Sequence, residues 1–204
     1  MHKLLFSLLL LSCFTAVKGQ TFQASVLAGF NMSQIDGDEL SGFNSLGFNG
    51  GLRVLAVLSD RWRVGPELLF SQQGSRRGVN EFTSDFERVS LNTVEVPLMV
   101  YFKDWRFTAE AGLAYQRLIN YTIEDPGGAD ISEDFQFRDN LLNIQFGVTL
   151  YLRPNLGINF RWSEHLTDIE ANDGNLTLTG RKISIRAVYV LGGGETLPDP
   201  VEAE

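Results

Sequence analysis

Asn92-Thr93-Val94-Glu95-Val96-Pro97-Leu98-Met99-Val100-Tyr101-Phe102 is the stretch that decides how this chain folds. Val94, Val96, Leu98, Val100 and Phe102 alternate with Thr93, Glu95, Met99 and Tyr101. Apolar side chains recurring at every second residue share one face of an extended strand, because successive Cβ atoms point to opposite sides. A helix would scatter the same residues around its circumference. The apolar run Val96 to Phe102 is also the longest after the first twenty residues, far short of the roughly 18 residues a membrane-spanning helix needs. A helical membrane protein is excluded.

Working outward from this segment, the same split recurs seven more times. Upstream, Phe22, Ala24, Val26, Ala28 and Phe30 oppose Gln23, Ser25, Leu27, Gly29 and Asn31; Phe48, Leu52, Val54, Ala56 and Leu58 oppose Asn49, Gly51 and Arg53. Trp62, Val64, Pro66, Leu68 and Phe70 then oppose Arg63, Gly65, Glu67 and Ser71. Downstream, the face of Trp105, Phe107, Ala109, Ala111, Leu113 and Tyr115 opposes Arg106, Thr108, Glu110 and Gln116. Three further strands carry Leu142 to Leu152, Leu156 to Trp162 and Ile183 to Leu191 in the same phase, with Arg161, Lys182 and Arg186 on their polar sides.

The connections alternate as well. Ser59-Asp60-Arg61, Lys103-Asp104 and Arg153-Pro154-Asn155 read as tight turns, whereas residues 33–46, 74–90, 119–139 and 165–180 read as long polar loops. Short turns at one end and long loops at the other are the layout of an outer-membrane barrel, whose turns lie in the periplasm. The predicted fold is an all-β, eight-stranded antiparallel up-and-down transmembrane barrel over residues 20–191.

A soluble sandwich or barrel would alternate too, so the question is which face is dry. The apolar faces contain no Asp, Glu, Lys or Arg, while the opposite faces hold Arg53, Arg63, Glu67, Glu95, Arg106, Glu110, Arg161, Lys182 and Arg186. Eight strands enclose only enough space for a modest set of side chains. Trp62, Trp105, Trp162 and the many Phe residues of the apolar faces would overfill that interior but fit a lipid-facing exterior, where several fall into two interfacial girdles. The nine charges are therefore expected to form a lumenal ionic network, with each acid paired to an arginine such as Arg53, Arg63 or Arg106.

Met1-His2-Lys3, the apolar run from Leu4 to Leu11 and the small or polar residues to Gly19 have the anatomy of a secretory leader over residues 1–19. A competing reading is that Leu10-Leu11-Ser12-Cys13 resembles a lipoprotein box, although Ser stands where Gly or Ala is usual. With the leader removed the chain has no cysteine, so disulfides and thiolate chemistry are unavailable. Loss of Lys3 and Lys18 takes the formal charge from -8 to about -10, which argues against nucleic acid as a partner. Residues 192–204 read as a Gly-rich, acidic tail.

Gly29-Phe30-Asn31, Pro66-Glu67-Leu68-Leu69-Phe70-Ser71-Gln72-Gln73-Gly74 and Asn92 to Phe102 together resemble the outer-membrane β-barrel domain of Bacteroidota, the PorT-like group. The resemblance covers essentially the whole chain after the leader. It implies an outer-membrane location and a small closed barrel, with no catalytic motif; the secretion role of the member that gives the group its name is not carried over. One departure is the chain end, where Gly192-Gly193-Gly194 and an acidic tail follow the last strand, so Tyr189 and Leu191 would have to replace the terminal aromatic residue of other barrels.

Three features carry potential chemistry. His165, the only histidine after the leader, stands beside Ser163, Glu164 and Asp168, and Ser163 and His165 share the inward phase. A rim site could activate a water or nucleophile there, but with no second catalytic His or elbow motif the residue reads as a solvated rim histidine. Asp36, Asp38 and Glu39, and Glu124, Asp125, Asp130, Glu133, Asp134 and Asp139, form acidic loop clusters without the remaining pattern of a calcium loop, so they read as hydrated surface. The inward charges read as packing rather than as a conduction path. The sequence thus points to a non-enzymatic, monomeric outer-membrane barrel without metal or cofactor, in contact with the bilayer and lipopolysaccharide, acting through its long loops on a protein partner. A barrel enzyme near His165 and a narrow channel are the alternatives.

Overall fold

The computed structural model describes residues 21–37, 42–78, 86–169 and 178–197. Residues 1–20, which include the expected leader and Cys13, and the last seven residues lie outside them, as do Asp38 and Glu39. Eight strands follow in order: β1 (Thr21–Asp36), β2 (Ser45–Val57), β3 (Trp62–Arg76), β4 (Arg88–Asp104), β5 (Phe107–Glu124), β6 (Asn140–Arg153), β7 (Leu156–His165) and β8 (Thr179–Val190). Each pairs antiparallel with its sequence neighbours, and β8 closes onto β1, with Ala28 opposite Ala187 and Ser25 opposite Val190. Closure satisfies the backbone groups that an open sheet would leave bare in lipid.

The alternation read from the sequence is the alternation observed. Leu98, Leu52, Leu68, Phe146 and Phe160 point outward, while Glu95, Arg53, Glu67, Gln145 and Arg161 are buried inside. Outward aromatic rings collect near the ends of the strands: Trp62 packs on Phe102 at 4.9 Å and Trp105 on Phe107 at 5.9 Å at the turn end, Phe48 on Phe70 at 6.5 Å toward the loop end. Such rings sit well at a bilayer interface, where one edge is apolar and the other wet. Pro66 and Pro97, which lack an amide donor, stand where the β2–β3 and β3–β4 ladders skip residues without shifting register.

Three boundaries differ from the sequence reading. Lys103 and Asp104 are the end of β4, and the turn is Trp105-Arg106, so β5 begins at Phe107. Trp105 holds a left-handed φ of 53° there, a conformation glycine adopts easily and tryptophan does not. Second, the long polar segments that the sequence predicts as loops are partly strand: β1 runs to Asp36, β3 to Arg76, and β5 to Glu124. Third, the β4–β5 register shifts between Asn92 and Thr93, which pair with Asn120 and Leu118, leaving Ile119 as an extra residue. A bulge reverses the phase beyond it. Leu118 and Ile123 therefore both face inward, although their spacing is odd.

Candidate functional site

The lumen is filled in layers from the turn end to the loop end. At its centre Arg161 donates two hydrogen bonds to Glu67, from Nη1 at 2.7 Å and Nη2 at 2.9 Å, and a third from Nε to Glu110 at 2.7 Å. Arg53 lies 3.9 Å from Glu67 and 3.7 Å from Glu110, with its guanidinium 5.1 Å from the Tyr101 ring centre. Tyr101 donates its hydroxyl to Glu67 at 2.5 Å. Arg186 donates through Nε to Asn159 at 3.0 Å and lies 3.8 Å and 3.9 Å from the two acids. Three arginines thus share two carboxylates in a space from which solvent is excluded. Gly147 makes room for this arrangement: a Cβ there would stand 2.6 Å from the Glu110 carboxylate.

Above the centre Lys182 pairs with Glu95, which also accepts from Gln145 Nε2 at 3.3 Å. Glu95 thus has a lysine from β8 as its partner, not an arginine from β2, β3 or β5 as the sequence suggested; neighbours in sequence order are not neighbours across a lumen. A layer of neutral polar groups follows. Gln116 donates to Thr93 at 2.8 Å and accepts from Asn143 at 2.8 Å, and His165 Nε2 lies 3.0 Å from Gln116 Oε1 and 3.3 Å from Gln73 Nε2.

His165 is accordingly a buried residue and not a solvated rim residue. Ser163 is buried inside with it, in agreement with their shared phase. The two acids next to them in sequence point away: Glu164 pairs with Arg181 at 3.2 Å on the outer face, and Asp168 is exposed. The structure brings no carboxylate of this segment to His165.

Over this layer sits an apolar plug of Ile35, Val89, Leu91, Leu118, Ile123, Phe137, Leu141 and Ile169. Phe86, Tyr121, Ile131, Phe135 and Leu178 pack against it, with Tyr121 4.7 Å from Phe137 and Phe86 5.5 Å from Phe135. The connection 125–139, which contains a 3-10 turn at Ser132–Asp134, is folded down onto the mouth. Its anchors are Ser132 Oγ, which accepts from the Ile123 amide at 2.8 Å, and the Phe135 carbonyl, which accepts from Tyr121 at 2.7 Å. The acidic residues of this loop are used locally. Asp125 accepts from the amides of Gly127 and Ala129 at 2.9 and 2.8 Å, and Ser132 holds the Asp130 carboxyl below its usual range by hydrogen bonds from its hydroxyl and amide. Among the described residues no group of three or more His, Cys, Asp or Glu side chains could hold a metal ion.

The turn end is closed by a residue of the Gly-rich acidic tail. Glu195 folds under the barrel and accepts from Arg63 Nη1 at 2.5 Å, Arg63 Nη2 at 2.7 Å and Lys103 Nζ at 2.9 Å. Arg63 therefore pairs with Glu195 rather than with Glu67, Glu95 or Glu110, and those three are not the only inward acids. Arg106 leaves the network altogether: it belongs to the turn, half-exposed, with its guanidinium 5.8 Å from the Trp105 ring centre. Lys103 takes the place among the buried cations that Arg106 was expected to fill. Burial by itself pushes the Glu195 carboxyl up, but the hydrogen bonds and charge of Arg63, then of Lys103, outweigh it and hold the group below the usual carboxylate range.

Residues 18–170 match the family described as the outer membrane protein beta-barrel domain, and the chain belongs to that family. Its place is the outer membrane, with the barrel in the bilayer. Solved structures with a similar fold include Neisserial surface protein A, with 12% identity and a TM-score of 0.50 over 84% of this chain and 99% of that one. The Yersinia pestis attachment invasion locus protein Ail gives 17% identity and a TM-score of 0.49 over 82% and 97% of the two chains. OprG from Pseudomonas aeruginosa gives 14% and 0.46 over 84% and 96%. At such identities the likeness concerns the fold. No curated protein matches the chain.

Proposed function

We propose that this protein acts in the outer membrane as a structural or interaction protein through the surface at its loop end, and neither as a catalyst nor as a conduit. The observation that carries this reading is the filled lumen: an ionic centre, a layer of bonded amides and an apolar plug occupy the path in succession. A catalytic reading would need His165 open to a substrate with a free acid beside it, whereas His165 lies beneath the plug, Glu164 faces outward and Glu95, the lumenal acid whose charge reaches His165, is paired with Lys182. What the barrel leaves available to partners is its exterior.

On that exterior the loop end carries exposed Asp130, Glu133, Asp134, Asp139 and Asp168, with a hollow of about 670 Å³ lined by Tyr121, Gln136, Phe137, Arg138, Asp139 and Asn140. Just above the apolar band an outward amide row runs from Gln72 to Asn92 at 2.9 Å and from Asn92 to Asn120 at 2.6 Å, a composition suited to the polar headgroups of the lipopolysaccharide leaflet. The closed sheet leaves no open edge for a second copy to extend, which supports a monomer as the working unit. The secretory leader over residues 1–19 and the likeness to the PorT-like group of Bacteroidota rest on the sequence motifs.

The test is photocrosslinking in intact cells from Gln136 and Glu133, with Asp60 at the turn end as the comparison. A discrete protein adduct from the loop-end positions is the expected result. Adducts to lipid alone from both loop positions would refute a protein partner there.

A further inference from the structure

The barrel is complete at Val190, where β8 has paired with both β7 and β1. The chain nevertheless turns back. Asn155 Nδ2 donates to the Val190 and Gly192 carbonyls at 2.9 and 3.0 Å, and the Glu195 amide donates to the Pro154 carbonyl at 2.6 Å. Between these ties lie Gly192, Gly193 and Gly194. The first and third have φ of 82° and 72°, and a Cβ on Gly192 or Gly193 would meet nothing within 4 Å. Gly192 and Gly193 stand in open space, whereas Gly194 lies against Pro154, where a Cβ would come within 2.8 Å of the carbonyl, so the pliant part of the tether is its first two glycines.

What the tether delivers is one carboxylate into a socket of two cations. Arg63 presents the fork that matches a carboxylate, and Lys103 adds a charge to one oxygen while donating to the Thr196 carbonyl at 2.7 Å. Both cations are buried and neither is paired with any acid of the barrel wall. The wall therefore leaves two positive charges at its turn end that only a group from outside the sheet neutralises. Beside the socket a hollow of about 490 Å³ runs past Ser59, Asp60, Arg61, Asp104, Trp105 and Leu197. Because the plug closes the other end, the socket opens only toward the turns, the periplasmic side of such a barrel.

We infer that Arg63 and Lys103 form a carboxylate-binding socket, that Glu195 is its tethered occupant, and that a segment of a periplasmic protein carrying one carboxylate between uncharged residues exchanges with it, since Asp60 and Asp104 on the wall of the hollow disfavour further acids. The hollow beside the socket accommodates the residues that flank the incoming acid, as it now borders Thr196 and Leu197. Exchange swaps one carboxylate for another, so the two cations are never left bare.

The experiment uses the full chain refolded in lipid nanodiscs and a labelled peptide, Gly-Gly-Gly-Glu-Thr-Leu, that copies residues 192–197. Glu195→Gln removes the negative charge from the socket, leaving its two cations uncompensated, while keeping the tail. This variant should bind the peptide at least about tenfold more tightly than the wild type, whose own occupant competes at an effective concentration of roughly millimolar. A peptide with Gln in place of Glu should bind poorly, and Arg63→Gln added to Glu195→Gln should abolish binding. Equal affinity of wild type and Glu195→Gln, or equal binding of the two peptides, would overturn the inference. Should the variant fold poorly, hydrogen exchange on the wild type decides: saturating Glu peptide should speed exchange at residues 192–197, and no change would overturn it.

Discussion

Glu67→Gln is the substitution that most directly probes the lumenal centre. It keeps the shape of the side chain and removes one of the two negative charges that three arginines share. In the wild type Glu67 accepts two hydrogen bonds from Arg161 and one from Tyr101, with Arg53 and Arg186 each within 4 Å. The amide retains a single acceptor oxygen, so at least one buried donor of Arg161 or Tyr101 loses its partner, and its own NH2 is directed at a guanidinium. Breaking a buried ion pair by removing one partner costs about 3 to 5 kcal/mol. The full range is expected here, because the centre goes from three cations on two anions to three on one, with all the side chains solvent-excluded.

The geometry also indicates which second substitution should relieve the cost. Arg161 is committed to both acids, whereas Arg186 makes its hydrogen bonds to neutral Asn159 and reaches the carboxylates only at 3.8 and 3.9 Å. Glu67→Gln with Arg186→Gln should therefore recover about 1 kcal/mol or more of the loss, a coupling of the size seen for residues sharing one network. Urea unfolding from lipid vesicles, followed by tryptophan fluorescence and by the shift of the folded band on an unheated gel, measures all three variants. If Glu67→Gln unfolds within about 0.5 kcal/mol of the wild type, as exposed sites do, the lumen is hydrated and the reasoning fails.

Other outcomes are expected. Leu98→Arg puts a cation on the lipid face of β4 and should cost about 2 to 4 kcal/mol in the same assay; Met99→Arg, directed into a full cluster with Leu55 and Tyr101, should be no better tolerated, and a stable Met99→Arg protein would mean spare lumenal volume. Glu95→Gln should destabilise the barrel by at least about 1 kcal/mol, with partial recovery on adding Lys182→Gln; simple additivity of the two changes would break the assigned pair. In planar bilayers the wild type should give no steady ohmic current, and reproducible unitary currents that respond to Arg53→Gln would overturn the plugged lumen. Because its partners lower the Glu195 carboxyl, the latch contributes fully above the unfolded-chain value of about 4.3 and is lost as pH falls through the lower folded value. Protease cleavage within residues 192–197 should thus be equally slow at neutral and mildly acidic pH and accelerate only below about pH 4; acceleration on going from pH 8 to 6 would contradict the pairing.

The eight strands and the facing of each were legible in the sequence, because alternation is a local property: a strand with lipid on one side and a polar lumen on the other records the difference residue by residue, as Val94 to Phe102 does. The structure places Arg53, Arg63, Glu67, Glu95, Glu110, Arg161, Lys182 and Arg186 in its buried interior and leaves Arg106 half-exposed, because the turn falls at Trp105-Arg106, two residues later than composition suggests. Which charges meet was not legible. Lys182 and Glu95 are 87 residues apart, Arg161 and Glu67 are 94, and Arg63 and Glu195 are 132, distances bridged only when the sheet closes and its register sets the height of each side chain. The apolar plug was hidden for a related reason. Ile131, Phe135 and Phe137 stand in a segment rich in Asp and Gly, and the bulge at Ile119 resets the inward phase of β5, so these residues become a core only once the connection folds back over the mouth. Glu195, one acid in an acidic tail, acquired its partner the same way: charge and composition are one-dimensional, and a socket of two cations from β3 and β4 exists only in the closed barrel.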